Sequence, residues 1–177
     1  MKLFKGLFLF FSFLLVFGVI TTSYAQSSIT FKIDGSGFIG AVQEAVLINI
    51  GGENYIQIKA ARKDQLVFIY LKEKDLKGEL PVTLKYKEHD HEKKQTPDAE
   101  IVWAPGGGDQ PAWNTIEGEA SITQYDSVAK TISGTFEFVV EKQNTSTKKD
   151  IKMERADIEE GKIGNVKFTI DASAAGK

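Results

Sequence analysis

The sequence predicts an all-β fold, an antiparallel β-sandwich or partly closed barrel of about ten strands, preceded by a cleaved signal peptide. Three observations favour this fold. Apolar and polar residues alternate with a period of two along most of the chain. Short clusters of Gly, Asn, Asp and Pro separate the alternating runs, and no long run has the spacing of an amphipathic helix. Sandwich and barrel require the same alternation, so both architectures stay open.

The first 25 residues have the composition of a signal peptide. Lys2 and Lys5 give a positive start, residues 7–20 are almost continuously apolar, and small residues lead up to an expected cleavage site after Ala25. The apolar run is shorter than the ~18 residues that a spanning helix needs. We therefore expect a single mature domain over residues 26–177 without a membrane span. We also expect export, to the periplasm, the outer membrane or the extracellular space.

The composition of the mature chain excludes several classes of function. Without the two leader lysines it has 20 Lys and Arg against 24 Asp and Glu, a net charge of −4, which opposes non-specific binding to nucleic acid. The chain has no Cys, so disulfides, thiol nucleophiles and thiolate metal sites are excluded. We expect no cofactor and no metal.

A central hairpin has the clearest alternation. Residues 116–126 and 131–141 form its two arms, and residues 126–130 supply the turn. The interior position of Gly134 predicts that a neighbouring backbone or side chain comes close there. The residues predicted on its dry face are Ile116, Gly118, Ala120, Ile122, Ile132, Gly134, Phe136, Phe138 and Val140.

The other alternating runs predict the remaining strands. Charged residues 73–79 and 87–98 are expected to be loops, residues 159–161 a turn, and residues 171–177 a frayed tail. The predicted strands outside the central hairpin are residues 29–33, 38–42, 45–50, 55–60, 65–72, 80–86, 99–104, 151–158 and 162–170.

Three segments carry a family resemblance. Two lie in the central hairpin, GEASITQYD at 118–126 and KTISGTFEF at 130–138, and the third lies near the end of the chain, IEEGK followed by NV within 158–166. They resemble an uncharacterised domain family found in exported and lipid-anchored proteins of Bacteroidota. The resemblance implies an exported β-domain and no catalytic residues. Many members carry a lipidated Cys after the signal, which this chain lacks.

The best candidate for ligand binding is a Gly- and Pro-rich loop bounded by two tryptophans. Trp103 and Trp113 flank this loop, and Asp109 lies within it. Flat aromatic faces beside polar groups can stack on a sugar ring or hold an apolar segment. The same tryptophans can instead pin the loop to the sheet edge.

Two further clusters suggest chemistry, but a solvated surface explains each of them better. His89, His91 and the neighbouring acids resemble a partial divalent-metal site without a third fixed ligand. Glu117, Glu119, Glu137 and Glu141 share the wet face, as a glycoside hydrolase pair would, yet alternation alone puts carboxylates there.

The sequence therefore favours a non-catalytic, exported binding module whose partner is a glycan, a protein or a small apolar ligand. A small β-barrel carrier of an apolar ligand is the first alternative. A carboxylate-dependent glycoside hydrolase is the least favoured alternative.

Overall fold

The computed structural model describes residues 27–86, 96–106, 110–143 and 153–175. This part of the chain is all-β, apart from one 3₁₀ turn at Glu73–Lys77. The predicted leader, residues 1–25, lies outside it. The strands are β1 (Ser28–Ile33), β2 (Ser36–Ile50), β3 (Glu53–Arg62), β4 (Gln65–Lys72), β5 (Val82–Lys85), β6 (Ala99–Ala104), β7 (Trp113–Asp126), β8 (Thr131–Lys142), β9 (Arg155–Lys167) and β10 (Thr169–Ile170).

Eight of these strands close into an antiparallel barrel. They follow one another around the ring in the order β1-β9-β8-β7-β6-β4-β3-β2, and β2 pairs again with β1. The two remaining strands lie outside the ring: β5 pairs with β7, and β10 pairs in parallel with β2. The prediction of an all-β antiparallel fold is confirmed, and the architecture is a closed barrel.

The inward-facing residues of the strands form one apolar core. Four phenylalanines lie in contact within it, with ring centroids 4.5 Å apart for Phe31 and Phe38, 6.1 Å for Phe31 and Phe136, and 6.0 Å for Phe136 and Phe138. These rings occupy the interior of the barrel, which eight strands leave just wide enough for side chains. Burial of this core supplies the main stabilising term of a fold without disulfides.

Among neighbouring strands of the ring, β6 and β7 have the fewest paired residues. Only Val102 and Trp103 pair there, with Asn114 and Trp113. One residue further along each strand, the Thr115 hydroxyl accepts a hydrogen bond from the Ile101 N–H at 2.8 Å and donates one to the Ile101 carbonyl at 2.7 Å. A buried side chain therefore continues the pairing where the two backbones separate.

The structure at the start of β7 differs from the predicted dry face of the central hairpin. A register shift lies between Thr115 and Glu117, so that Thr115 is buried and Ile116 is only partly buried. The prediction for Ile116 was wrong because a bulge moves every preceding side chain to the opposite face. The predicted inward residues of the second arm, Ile132 to Val140, are confirmed.

Two predicted breaks in the chain are bulges within long strands. Residues 38–42 and 45–50 belong to the single strand β2, whose register shifts between Val42 and Glu44. Residues 159–161 are not a turn, because β9 continues through them with Glu160 at a positive φ of 53°. Gly and charged residues in a strand marked a bulge here, not a chain reversal.

Two segments predicted as irregular are ordered against the barrel. Residues 73–77 form the 3₁₀ turn, which buries Leu76. The start of the predicted tail docks on β2, where the Asp171 N–H donates to the Leu47 carbonyl at 2.9 Å and Ala174 is buried. The described segments contain no helix with the length and hydropathy that a membrane crossing requires.

Glycines let strands approach closely in the β7–β8–β9 part of the barrel. A Cβ at Gly134 would lie 2.5 Å from the Ser121 carbonyl oxygen, which confirms the predicted close approach. A Cβ at Gly161 would overlap the ring of Phe136 on the neighbouring strand. Gly164 is three residues along β9, and a Cβ there would meet only the Ser28 carbonyl oxygen, at an ordinary 3.6 Å.

We predict that Gly161→Ala destabilises the protein by about 1–3 kcal/mol, because Phe136 must leave its place in the core. Gly164→Ala is the matched control, and its free energy of unfolding should stay within about 1 kcal/mol of wild type. Urea denaturation of both variants measures the difference. Equal stabilities would contradict the packing argument.

We predict that Thr115→Val lowers the free energy of unfolding by about 1–3 kcal/mol for each Ile101 group left unsatisfied in the core. Thr135→Val, at an exposed position of β8, is the control for the loss of a hydroxyl. Amide hydrogen exchange should show faster opening of the β6–β7 seam in Thr115→Val. Unchanged protection of that seam would refute the role assigned to this hydroxyl.

Candidate functional site

The predicted site lies at one end of the barrel. Because neighbouring strands run in opposite directions, alternate connections of the ring meet at the same end. The β6–β7 loop therefore shares its end with the β1–β2 turn, the β3–β4 turn and the β8–β9 connection. Side chains from the β1–β2 turn and the β8–β9 connection meet there in one groove with residues at the ends of β7, β8 and β9, described below.

Trp103 and Trp113 are cross-strand neighbours at this end. They pair directly between β6 and β7, with ring centroids 5.6 Å apart and ring planes at 49°. Both are partly buried. Asp109, the third predicted residue, lies outside the described residues. The two tryptophans therefore hold the base of the loop together and also present aromatic surface at the barrel end.

One polar atom of this pair has no partner in the described part of the chain. The indole N–H of Trp103 is buried and makes no hydrogen bond to any described residue. Buried indole N–H groups in proteins normally find an acceptor. An acceptor supplied from outside the described residues would satisfy it.

A groove of about 860 Å³ opens beside Trp113. Within it, Arg155 Nε lies 2.9 Å from Glu141 Oε2, an ion pair between neighbouring strands. Lys142 Nζ lies 3.1 Å from Glu154 Oε1 and 5.9 Å from the centroid of the Trp113 ring. The residues that line the groove are Asp34, Trp113, Glu141, Met153, Glu154 and Arg155.

Backbone hydrogen bonds fix Asp34 at the edge of this groove. The Asp34 N–H donates to the Asp157 carbonyl at 3.1 Å, and the Asp157 N–H donates to Asp34 Oδ1 at 3.2 Å. One carboxylate oxygen is thus held by β9. Sequence reasoning missed Asp34 and Arg155 as site residues, because more than a hundred positions separate them and no motif links them.

The wet-face carboxylates do not gather in this groove as a set. Glu119 and Glu137 are cross-strand partners with exposed side chains, and Glu117 is also exposed. Lys85 Nζ lies 3.9 Å from Glu119 Oε2. Only Glu141 reaches the groove beside Trp113. Glu117, Glu119 and Glu137 instead line a separate open groove of about 520 Å³ on the barrel wall, where their side chains are exposed to solvent.

No group of three or more acidic, His or Cys residues that could hold a metal ion occurs within the described residues. His89 and His91, the partial metal site considered from the sequence, lie outside them. The absence of a metal stays a prediction.

A partly buried ionisable contact lies at the other end of the barrel. The Tyr125 hydroxyl donates to Glu73 Oε1 at 3.3 Å, and Lys77 Nζ lies 2.9 Å from the same oxygen. Burial and the negative charge of Glu73 raise the pKa of Tyr125 to about 12. The phenol stays protonated at neutral pH, so it clamps the 3₁₀ turn to β7 and does not serve as a base.

Comparison of the chain with protein-family models, with curated proteins and with solved structures finds no match in any of the three. The proposed function therefore rests on the sequence and on the geometry of the described residues.

The raised pKa of Tyr125 predicts a loss of stability at alkaline pH. Between pH 10 and about 12 the tyrosine ionises in the unfolded chain but not in the fold, so the free energy of unfolding falls as pH rises. Tyr125→Phe should make this fall less steep. It should not abolish the fall, because burial also raises the pKa of Tyr55. Urea denaturation midpoints of wild type and Tyr125→Phe at pH 8, 10 and 11 measure how steeply each protein loses stability. An equally steep fall in both would contradict the assignment.

Proposed function

We propose that this protein is an exported, non-catalytic binding module that holds a neutral glycan in the groove beside Trp113. The observation that carries the proposal is the meeting of an aromatic side chain, a guanidinium and three carboxylates in one groove. Its volume falls in the usual range of ligand sites, about 300–1,000 Å³.

The chemistry of the groove suits a sugar. A pyranose ring has an apolar face that stacks on an indole, and its hydroxyls both donate and accept hydrogen bonds. Carboxylates of Asp34, Glu141 and Glu154 accept from hydroxyls, and Arg155 donates to them. Three carboxylates against the Arg155 guanidinium and the neighbouring Lys142 ammonium leave an excess of one negative charge, which favours a neutral sugar over an acidic one.

The carrier of an apolar ligand is the second candidate, and the closed barrel favours it. Barrels of eight strands hold one small ligand in some proteins and are filled by side chains in others. The contacting rings of Phe31, Phe38, Phe136 and Phe138 support a filled interior. A hydrolase ranks third, because Glu117, Glu119 and Glu137 are exposed.

Export is part of the proposal and rests on the leader pattern of residues 1–25. An exported module without disulfides needs a core that closes by packing alone, and the barrel has such a core. The family resemblance of the central hairpin supports the same location.

We predict that neutral oligosaccharides change the intrinsic fluorescence of the protein. The chain has only two tryptophans, Trp103 and Trp113, so all indole emission comes from the barrel end. Titration with a panel of neutral and acidic cell-surface oligosaccharides should give saturation with a neutral member. No spectral change across the panel would overturn the proposal.

Two variants on strand β9 separate binding from stability. Arg155→Ala removes the guanidinium of the groove, and we expect affinity to fall about tenfold or more, as for loss of a charged hydrogen bond. Lys167→Ala, at the far end of β9, should bind like wild type. Equal affinities of these two variants would place the ligand elsewhere. Co-purified lipid in native mass spectra would instead support the carrier.

A further inference from the structure

The Trp113 indole belongs to a row of four side chains that crosses four neighbouring strands at its end of the barrel. Trp103 on β6 is the cross-strand partner of Trp113 on β7, and Trp113 is the partner of Lys142 on β8. The Lys142 N–H donates to the Glu154 carbonyl at 2.9 Å, which continues the β8–β9 pairing to Glu154. Directly opposite residues of antiparallel strands point to the same face, so the four side chains lie side by side.

Lys142 connects the aromatic part of this row with its carboxylate. Its Nζ lies over the Trp113 ring, 5.9 Å from the ring centroid. The same Nζ donates to Glu154 Oε1 at 3.1 Å and to Glu154 Oε2 at 3.2 Å. The face of an indole attracts a cation, and both carboxylate oxygens hold the ammonium from the other side. The structure therefore keeps a cation over the ring on which a sugar is proposed to stack.

The position of Lys142 puts it in the path of a sugar. Trp103 contacts the Trp113 ring from β6, with ring centroids 5.6 Å apart. On the other side, Trp113 and Glu154 both line the groove, and the Lys142 ammonium lies between them. A pyranose ring that enters the groove and stacks on Trp113 needs the space that this ammonium occupies.

The contact between Lys142 and Glu154 can open without separating the strands. The Lys142 side chain is 36% exposed and that of Glu154 is 64% exposed. Ion pairs between solvent-exposed groups contribute little to stability and are weakened by salt. The backbone hydrogen bond from Lys142 to Glu154 does not depend on their side chains. The ammonium can therefore leave the ring while β8 stays in place.

We propose that Lys142 is a latch on the groove beside Trp113, whose ammonium a neutral sugar must displace before it stacks on the indole. The inference rests on the proposed glycan site and adds its regulation. The latch lowers the affinity of the groove for a neutral sugar. It also makes that affinity rise with ionic strength, because salt weakens the ion pair that holds Lys142 in place while the sugar carries no charge.

Acrylamide quenching of indole fluorescence tests the latch without a glycan. Lys142→Ala should raise the Stern–Volmer constant, because it uncovers the Trp113 ring. The constant of wild type should rise towards that of Lys142→Ala between about 20 mM and about 500 mM NaCl, whereas that of Lys142→Ala should stay the same. Lys167→Ala, at the far end of β9, is the matched control and should behave like wild type. Equal constants for wild type and Lys142→Ala would overturn the proposal.

Binding of four neutral probes, maltohexaose, cellohexaose, laminarihexaose and xylohexaose, tests the competition. A hexaose that binds wild type should bind Lys142→Ala about threefold to tenfold more tightly. Lys142→Arg keeps a cation over the ring and should bind no more tightly than wild type. An unchanged or lower affinity of Lys142→Ala would mean that the lysine does not oppose the sugar, and the latch would be refuted.

The two measurements separate the latch from the proposed function. If no hexaose binds while Lys142→Ala raises quenching, the cover over Trp113 is supported and the glycan site loses its support. If a hexaose binds wild type and Lys142→Ala equally, the glycan site is supported and the latch is wrong. Lys142→Gln keeps most of the side chain and removes the charge, so it replaces Lys142→Ala if circular dichroism shows that the alanine variant does not fold.

Discussion

Closure of the ring is the constraint on which the rest of this structure depends. β1 is only six residues long, yet it pairs with β2 on one side and β9 on the other. Without it the sheet would have two long open edges, and the inner face would be wet. With it, the apolar side chains of the ring lie in one dry interior. A chain without disulfides needs this cooperative burial to hold its sites in place.

Closure also requires strands that bend. β7, β8 and β9 are twelve to fourteen residues long, and register shifts interrupt each pairing among them. Such bulges increase local twist and let long strands curve around a small core. Gly118, at a φ of 133°, and Glu160, at 53°, take backbone conformations that an uninterrupted strand does not use. Curvature is thus concentrated at a few positions of the wall.

The closed wall brings residues from distant parts of the chain together in open grooves. At one end, the first residues of β7 and β9 bring the Trp113 indole and the Arg155 guanidinium together with carboxylates, and the proposed glycan site rests on this set. On the outer face, strand register sets Tyr70 beside Glu100. Trp113 and Arg155 lie on paired strands, whereas Asp34 and Glu154 lie on connections between strands.

Alternation was sufficient to predict much of the fold. The inward set from Ile132 to Val140 and the close approach at Gly134 both follow from a period of two within one strand. The meeting of Trp103 and Trp113 was also within reach, since they flank one loop. The errors at Ile116 and residues 159–161 share one cause: a bulge shifts the period by one residue and leaves composition unchanged.

The sequence by itself determined that this chain builds antiparallel strands with one dry face, because side-chain direction in a strand depends only on local order along the chain. Only the tertiary structure decided that the sheet closes. It also decided that Asp34 lies with Arg155, and that Tyr55 lies with Tyr86. Those associations join positions that are far apart in the sequence. They depend on strand order and register, and both are set by the burial of the apolar side chains of the whole ring.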